Sequence, residues 1–301
     1  MNRRPLYRVL YERACRRYAR YLGDKPADAI YRFMCSPKFW KEHRYWPHFK
    51  NPRSFSEKVF NRMLFDRDPQ WTTLSDKLRV RDFVAGKVGS EYLIPMLWTG
   101  DSPEEIPFNE LPLKFVIKTN HGCGYNIIVM DKTQLDQTQA SRQLKKWLGE
   151  NFCYATFVGM AWAYKNVRPS IIIESFLEDS GSVPRDYKFF CFSGRAEFFK
   201  IDFARFEDHS EIFFDIDLTP LDVLEEGLNR YQGKLAVPDN YKDMVRLAES
   251  LAQGFDFIRV DLYNVDSRIY VGELTCYPGA GLIRLIPRKY DFILGEKWKM
   301  K

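Results

Sequence analysis

From residue 114 onward the chain is written three times as strand, tight turn, strand. KFVIKTN and YNIIVM (114–130) flank a glycine turn, DYKFFCF and AEFFKIDF (186–203) flank Ser193-Gly194-Arg195, and FIRVDLY and RIYVGEL (257–274) flank a third turn. A connection of a few residues can join only antiparallel neighbours, because parallel strands need a crossover of a dozen residues or more. The C-terminal two thirds is therefore expected to be α+β, built on antiparallel hairpins.

Helical patterns fill the intervals. Ser54-Phe55-Ser56-Glu57 has capping-box spacing and opens a helix through about Phe65, and Thr73-Leu74-Ser75-Asp76 repeats that logic for a helix ending near Gly86. Residues 134–150 and 240–253 read as further helices, 92–97 (YLIPML) and 170–179 (SIIIESFLED) as strands, and 204–240 as a looser stretch. Pro/Gly/Asp-rich 100–113 looks like a linker. This suggests four parts: a basic amphipathic helical region (1–50), a preceding domain (51–112), a first subdomain (113–177) and a second (178–301).

Charge is unevenly placed. Residues 1–50 carry 13 Lys/Arg against 4 Asp/Glu, a surplus of +9, while the remainder holds 33 against 36. Within 3–22, Leu6, Val9, Leu10, Ala14, Tyr18 and Leu22 recur at near-helical spacing, with Arg8, Arg13, Arg16, Arg17 and Arg20 around them. That pattern fits adhesion to an anionic inner-membrane surface, or a first helix docked on the body with solvated arginines. No motif accompanies the charge to suggest nucleic acid. No apolar run approaches the roughly 20 residues of a membrane span, and the N-terminus has no secretory h-region, so a cytoplasmic protein is expected. The six cysteines form no CxxC pair and the four histidines are scattered, which points to reduced, mostly buried thiols rather than zinc.

Three stretches carry chemistry. FVIKTNHGCGYNIIV (115–129) is neither a Walker A loop, since its lysine precedes the glycines and a strand follows them, nor GxGxxG. It remains either a plain turn or a hairpin whose Gly122 and Gly124 fold backbone N–H groups over a polyanion while Lys118 adds a point charge. In RVDLYNVDSRIYVGELTCYPG (259–279), Asp261 and Glu273 sit on paired strands where one face can present both carboxylates, which suits Mg²⁺, and Arg259 points to the same face. IIIESFLED runs an apolar strand into Glu174 and a turn able to offer backbone groups to adenine, and Asp186 and Lys188 begin the next strand.

In this order and spacing the three pieces resemble the ATP-grasp family of carboxylate–amine ligases, whose fold has two α+β subdomains gripping ATP. The resemblance implies that Lys118 precedes the phosphate loop and that Glu174, Phe176 and Leu177 form the adenine hinge. It makes Asp186 the ribose acid, Asp261 and Glu273 the Mg²⁺ ligands, and Arg259 the support for a tetrahedral intermediate. The family's usual Glu-x-Asn is Glu273-Leu274-Thr275 here, so Thr275 is the expected third ligand. PRSFSEKV, SDKLRVRDFV, FVIKTNHGCG, RDYKFFCFSG and GELTCYPGAG look like the narrower TupA-like subfamily, named for teichuronopeptide biosynthesis. That resemblance implies ATP-dependent amide formation, joining an amino acid to a sugar or uronic acid in bacterial capsule, cell-wall or O-antigen synthesis. Lys118, Lys188 and the glycine loop would hold ATP. His121 would act as a proton-transfer group or as a donor to the phosphates. Arg205 and His209 would cover the site. Two rival readings are a glycosyltransferase using the Asp215-Ile216-Asp217 DxD, and a non-catalytic scaffold of a polysaccharide assembly complex.

Overall fold

In the computed structural model all three hairpins form as antiparallel pairs. The structure describes residue 17 and residues 29–155, 161–179, 183–203, 209–233 and 237–300. Of the basic 3–22 segment only residue 17 is therefore described, and Arg205 lies outside the described residues.

The main helices are α1 (Ala29–His43), α2 (Phe55–Phe65), α3 (Pro69–Ser75), α4 (Arg79–Val88), α5 (Gln137–Leu148), α6 (Tyr241–Ala252) and α7 (Lys289–Lys297). The capping box at the start of α2 is complete: the Ser54 hydroxyl accepts from the Glu57 amide, and the Glu57 carboxylate accepts from the Ser54 amide. The helix expected to begin at Thr73 does not. Asp68 caps α3 by accepting from the Gln70 amide, with Pro69 at the first helical position, so Thr73 to Ser75 finish that helix. Asp76 closes it, accepts from the Leu78 amide, and the chain restarts as α4 at Arg79.

Strands β1 (Met96–Gly100), β2 (Phe115–Thr119), β3 (Asn126–Val129) and β4 (Ile171–Ser175) form an antiparallel sheet in the order β1-β4-β2-β3. Phe115 and Ile117 alternate inward, packing with Leu144 of α5 and with Ile171 and Ile173. Lys118 consequently points out of that core.

The larger sheet contains β5 (Asp186–Phe192), β6 (Arg195–Phe203), β7 (Ser210–Asp215), the two-residue strands β8 (Pro220–Leu221) and β10 (Asn229–Arg230), then β11 (Phe257–Val265) and β12 (Arg268–Thr275), and the two-residue β9 (Leu224–Glu225) lies between β8 and β10 in the chain. Its order is β10-β7-β6-β5-β11-β12, with β8 on β7, while β9 pairs with the short β13 (Leu285–Ile286). The stretch read as loose thus supplies β7. The DxD there shapes a turn: one Asp215 carboxylate oxygen accepts from the amides of Asp217 and Thr219 at 3.0 and 2.8 Å.

One face of this sheet buries Phe189, Phe199, Ile258 and Val260 against Met244, Leu247 and Leu251 of α6. On the other face, Phe190, Phe192 and Phe257 pack under Phe55 of α2 and Trp298 after α7. Arg62 of α2 is 1% exposed. Its guanidinium lies between the rings of Trp71 and Trp298, at 4.4 and 4.3 Å, while donating to the Phe257 carbonyl at 2.8 Å and to Asp256. Burial opposes ionisation of Asp256, yet Arg62 holds its carboxyl below the ordinary range.

Candidate active site

The apolar part of that second face gives way to a row of charge. Glu273 on β12, Asp261 on β11, Lys188 on β5 and Lys200 on β6 are successive cross-strand partners. By the two-residue period, Arg259, Asp186 and Asp202 share their face. The strict alternation on β12 is interrupted by a bulge after the Asp261–Glu273 pair: the next partners are Leu262 and Val271, leaving Gly272 over. Val271 and Leu274 therefore both reach the core while Glu273 and Thr275 stay on the charged face. A Cβ at position 272 would come within 2.8 Å of the Tyr263 ring.

Arg259 and Asp261 pair bidentately: Nε donates to Oδ1 and Nη2 to Oδ2, each at 2.7 Å, and Nη2 also donates to the Thr275 hydroxyl at 3.1 Å. Burial would lower the arginine's pKa, but Asp261, then Glu273 and Asp186, raise it. Further along, Lys188 pairs with Asp186 and, at 2.8 Å, with Asp202. Lys200 reaches Asp202 at 3.2 Å, Glu211 at 2.7 Å and Glu225 at 2.5 Å. Burial opposes both charges, yet the lysines hold Asp202 low and the carboxylates hold Lys200 high. His209 lies 3.4 Å from Asp202.

Facing this row, Lys118 donates to Oε2 of Glu174 at 2.7 Å, and Arg81 of α4 donates to Oε1 at 2.9 Å. Glu174 is buried and thereby fixes two cations, with Phe176 and Leu177 half-buried just beyond β4. The loop after β2 is pinned at both ends. Asn120 donates to Asp76 and to the Arg168 carbonyl at 2.9 Å, and accepts from the Ser170 amide at 2.7 Å. Tyr125 stacks on Trp147 of α5 with centroids 5.0 Å apart. Gly122 is buried beneath Tyr125, so the exposed tip is Cys123 and Gly124, the latter at φ +73°.

His121 is buried, and its Nε2–H donates to the Trp147 carbonyl at 3.0 Å. Burial lowers its pKa. The neutral folded form means that the unfolded chain protonates first as pH falls below about 6.5, so stability is lost below that value. His121→Gln keeps a donor but cannot ionise. Between pH 7.5 and 5.5 the native melting temperature is expected to fall further than that of the variant; parallel curves would count against this.

The sequence motifs did not single out Lys77. It leaves the α3–α4 junction, its amide donates to the Asn120 carbonyl at 3.1 Å, and its ammonium donates to the Gly122 carbonyl. Burial lowers its pKa, with Glu273 the strongest opposing charge and Lys118 and Glu174 also within range. Lys77 thus stands between the two sheets, with a lysine on one side and an acid on the other. Its signal was the SDKLR stretch, where a lone helical lysine looks like a solvated one.

Asp261 and Glu273 fit a divalent cation. They are hard oxygen donors opposed across two strands, where Cβ atoms lie about 4.5–5.5 Å apart, and each carboxylate oxygen keeps a second acceptor position beside Arg259. They are two acids only: among the described residues no group of three or more His, Cys, Asp or Glu side chains is placed to hold a metal.

Solved structures with similar folds include D-alanine–D-alanine ligase from Bacillus anthracis complexed with ATP, at 14% identity, TM-score 0.40, covering 69% of this chain and 55% of that one. L-amino acid ligase from Bacillus licheniformis aligns at 12% identity, TM-score 0.47, covering 75% and 49%. The ATP-grasp ligase PsnB, complexed with a phosphomimetic variant of minimal precursor, Mg and ADP, aligns at 14%, TM-score 0.41, covering 77% and 61%. The chain spans about half to three fifths of the length of these three structures. No curated protein matches the sequence. The TupA-like ATP-grasp family model matches residues 57–299, most of the sequence, and the chain belongs to the TupA-like ATP-grasp family.

Proposed function

We propose that this ATP-grasp ligase activates a carboxylate as its acyl phosphate and passes it to an amine, joining an amino acid to a sugar or uronic acid for a bacterial surface polysaccharide. The observation that carries the reading is the convergence of Lys77 and Lys118, from one side, on the opposed acids Asp261 and Glu273, from the other. Phosphoryl transfer asks for positioning and charge neutralisation, and this array supplies both. Lys77 and Lys118 bind the nucleotide phosphates, with the exposed Cys123–Gly124 tip over them. The backbone at Phe176 and Leu177 borders adenine, and Asp186 takes the ribose. Lys188, held by Asp186 and Asp202, keeps positive charge beside the transferring group. Asp261, Glu273 and Thr275 would hold Mg²⁺, which supplies further neutralisation at the phosphates. Arg259, fixed by Asp261, stabilises the oxyanion as the amine attacks the acyl carbon and phosphate leaves. His121, bonded to Trp147, holds the loop against α5.

A cavity of about 400 Å³ lined by Glu42, His209, Glu225, Leu282 and Arg284 lies beside the Lys200 end of the row. Its carboxylates and guanidinium are suitable partners for the hydroxyls of a sugar acceptor. The reading places the chain in the cytoplasm, where ATP is supplied.

The deciding experiment is ADP release with Mg²⁺ across amino acids and uronic acids. ADP formed only when one carboxylate and one amine are both present supports the reading, and release of UDP from a UDP-sugar without ATP would overturn it. Lys77→Ala should raise the KM for ATP by about tenfold or more, the cost of one charge-assisted hydrogen bond. An unchanged KM would remove Lys77 from the phosphate site.

A further inference from the structure

Between residues 37 and 53 the exposed charged residues are Lys41, Arg44, Lys50 and Arg53, the one acid, Glu42, lies 4.0 Å from Lys38, and the exposed large apolar side chains are Trp40 and Trp46, at 41% and 58%. The placement is built. α1 stops at His43, Arg44 takes a left-handed backbone with φ 61°, and its amide donates to the Trp40 carbonyl at 2.7 Å. The chain turns back there, so that Trp46 stacks on Trp40 with centroids 6.2 Å apart, while the Arg44 guanidinium lies 5.8 Å from the Trp40 ring. Phe39 and His43 on the same helix are buried, and the His43 ring donates to the Gly281 carbonyl at 2.9 Å, so the pair rides on a fixed base.

Indole rings flanked by cations suit the headgroup layer of a bilayer, where the ring sits among carbonyls and glycerol and the cations meet phosphate. Charge sets the orientation. Residues 51–301 carry 33 Lys/Arg against 36 Asp/Glu and are repelled by an anionic surface, whereas residues 1–50 are attracted to it. A single-stranded nucleic acid would need open ring faces between which bases insert. Here the two rings already cover one another. No described helix is long and apolar enough to cross a membrane, so the contact would be peripheral.

We propose that residues 37–53 are a docking face for an anionic lipid surface, with Trp40 and Trp46 entering the headgroup layer and Lys41, Arg44, Lys50 and Arg53 pairing with lipid phosphates. Glu42, on the same helix, lines the cavity assigned above to the acceptor, so docking brings that cavity to the membrane. The face stands independently of the ligase reading, and ADP release from soluble substrates should persist when it is altered.

The test is co-sedimentation of the full chain with phosphatidylcholine vesicles made with or without phosphatidylglycerol. Binding to the anionic vesicles alone, weakened by salt, is the expected result. Trp40→Ala/Trp46→Ala should reduce that partition by about tenfold or more with an unchanged melting curve, and Lys41→Glu/Arg44→Glu should do the same. Native-like binding by the tryptophan variant would transfer the attraction to the basic segment before residue 29 and overturn the proposal. So would absence of vesicle binding alongside tight binding to single-stranded nucleic acid.

Discussion

Asp261→Asn should lower kcat/KM for ADP release by on the order of a hundredfold, about 2.7 kcal/mol of barrier. The substitution keeps size and shape, so its effect is electronic. Native Asp261 accepts from Arg259 with both oxygens and faces Glu273 across the hairpin. Asparagine leaves one acceptor and turns an N–H₂ group toward either the guanidinium or the nucleotide. One of the two acids able to hold Mg²⁺ is gone, and Arg259 loses the partner that aims it. The concentration of Mg²⁺ for half-maximal rate should rise together with the fall in kcat. Near-normal ADP release, or an unchanged Mg²⁺ requirement, would exclude Asp261 from the site.

Arg62→Met should destabilise the fold by about 3–5 kcal/mol, the cost of removing one partner from a buried ion pair. The change leaves Asp256, 11% exposed at its side chain, without its cation and the Phe257 carbonyl without its donor. It also removes the cation between Trp71 and Trp298. Native stabilities run at about 5–15 kcal/mol, so a loss of this size moves the urea midpoint well outside error. A shift worth less than about 1 kcal/mol would show that the two indoles and the Trp298–Asp256 hydrogen bond suffice without the arginine.

The hairpins were legible because two local signals, a two-residue period and a short turn, agree over each of them. The same period put Arg259 and Asp261 on one face, and the hairpin allowed Glu273 to join them, while the bulge that seats it and the pairing of Lys188 with Asp261 were not legible. What stayed hidden depends on residues distant in sequence. Lys77 and Arg81 read as ordinary helical cations until the α3–α4 junction brings them to Gly122 and Glu174. Thr73 to Asp76 imitate a helix start, but Asp68 and Pro69 cap one turn earlier. β7 was read as loose because its apolar run is only Ile212 to Phe214, opened by Glu211, whose buried charge is met by Lys200 on the neighbouring strand and by the Glu225 amide. The helix α7 follows Pro287 and contains Gly295, two residues that weaken a helical pattern.

The bulge at Gly272 makes the site depend on chain length as well as on residue identity. Gly272 has neither charge nor side chain, yet it is the spare residue that separates Val271 from Glu273. A regular ladder without the bulge would pair Gly272 with Asp261 and slide the frame of β12 by one, turning Glu273 toward the α6 core and Leu274 toward the charged face. Every functional residue would still be present, each one place out of phase. For a hairpin of this kind a slip in register is as harsh as a lost side chain, and the spacing from Gly272 to Thr275 is as much a part of the proposed site as the acids it aligns.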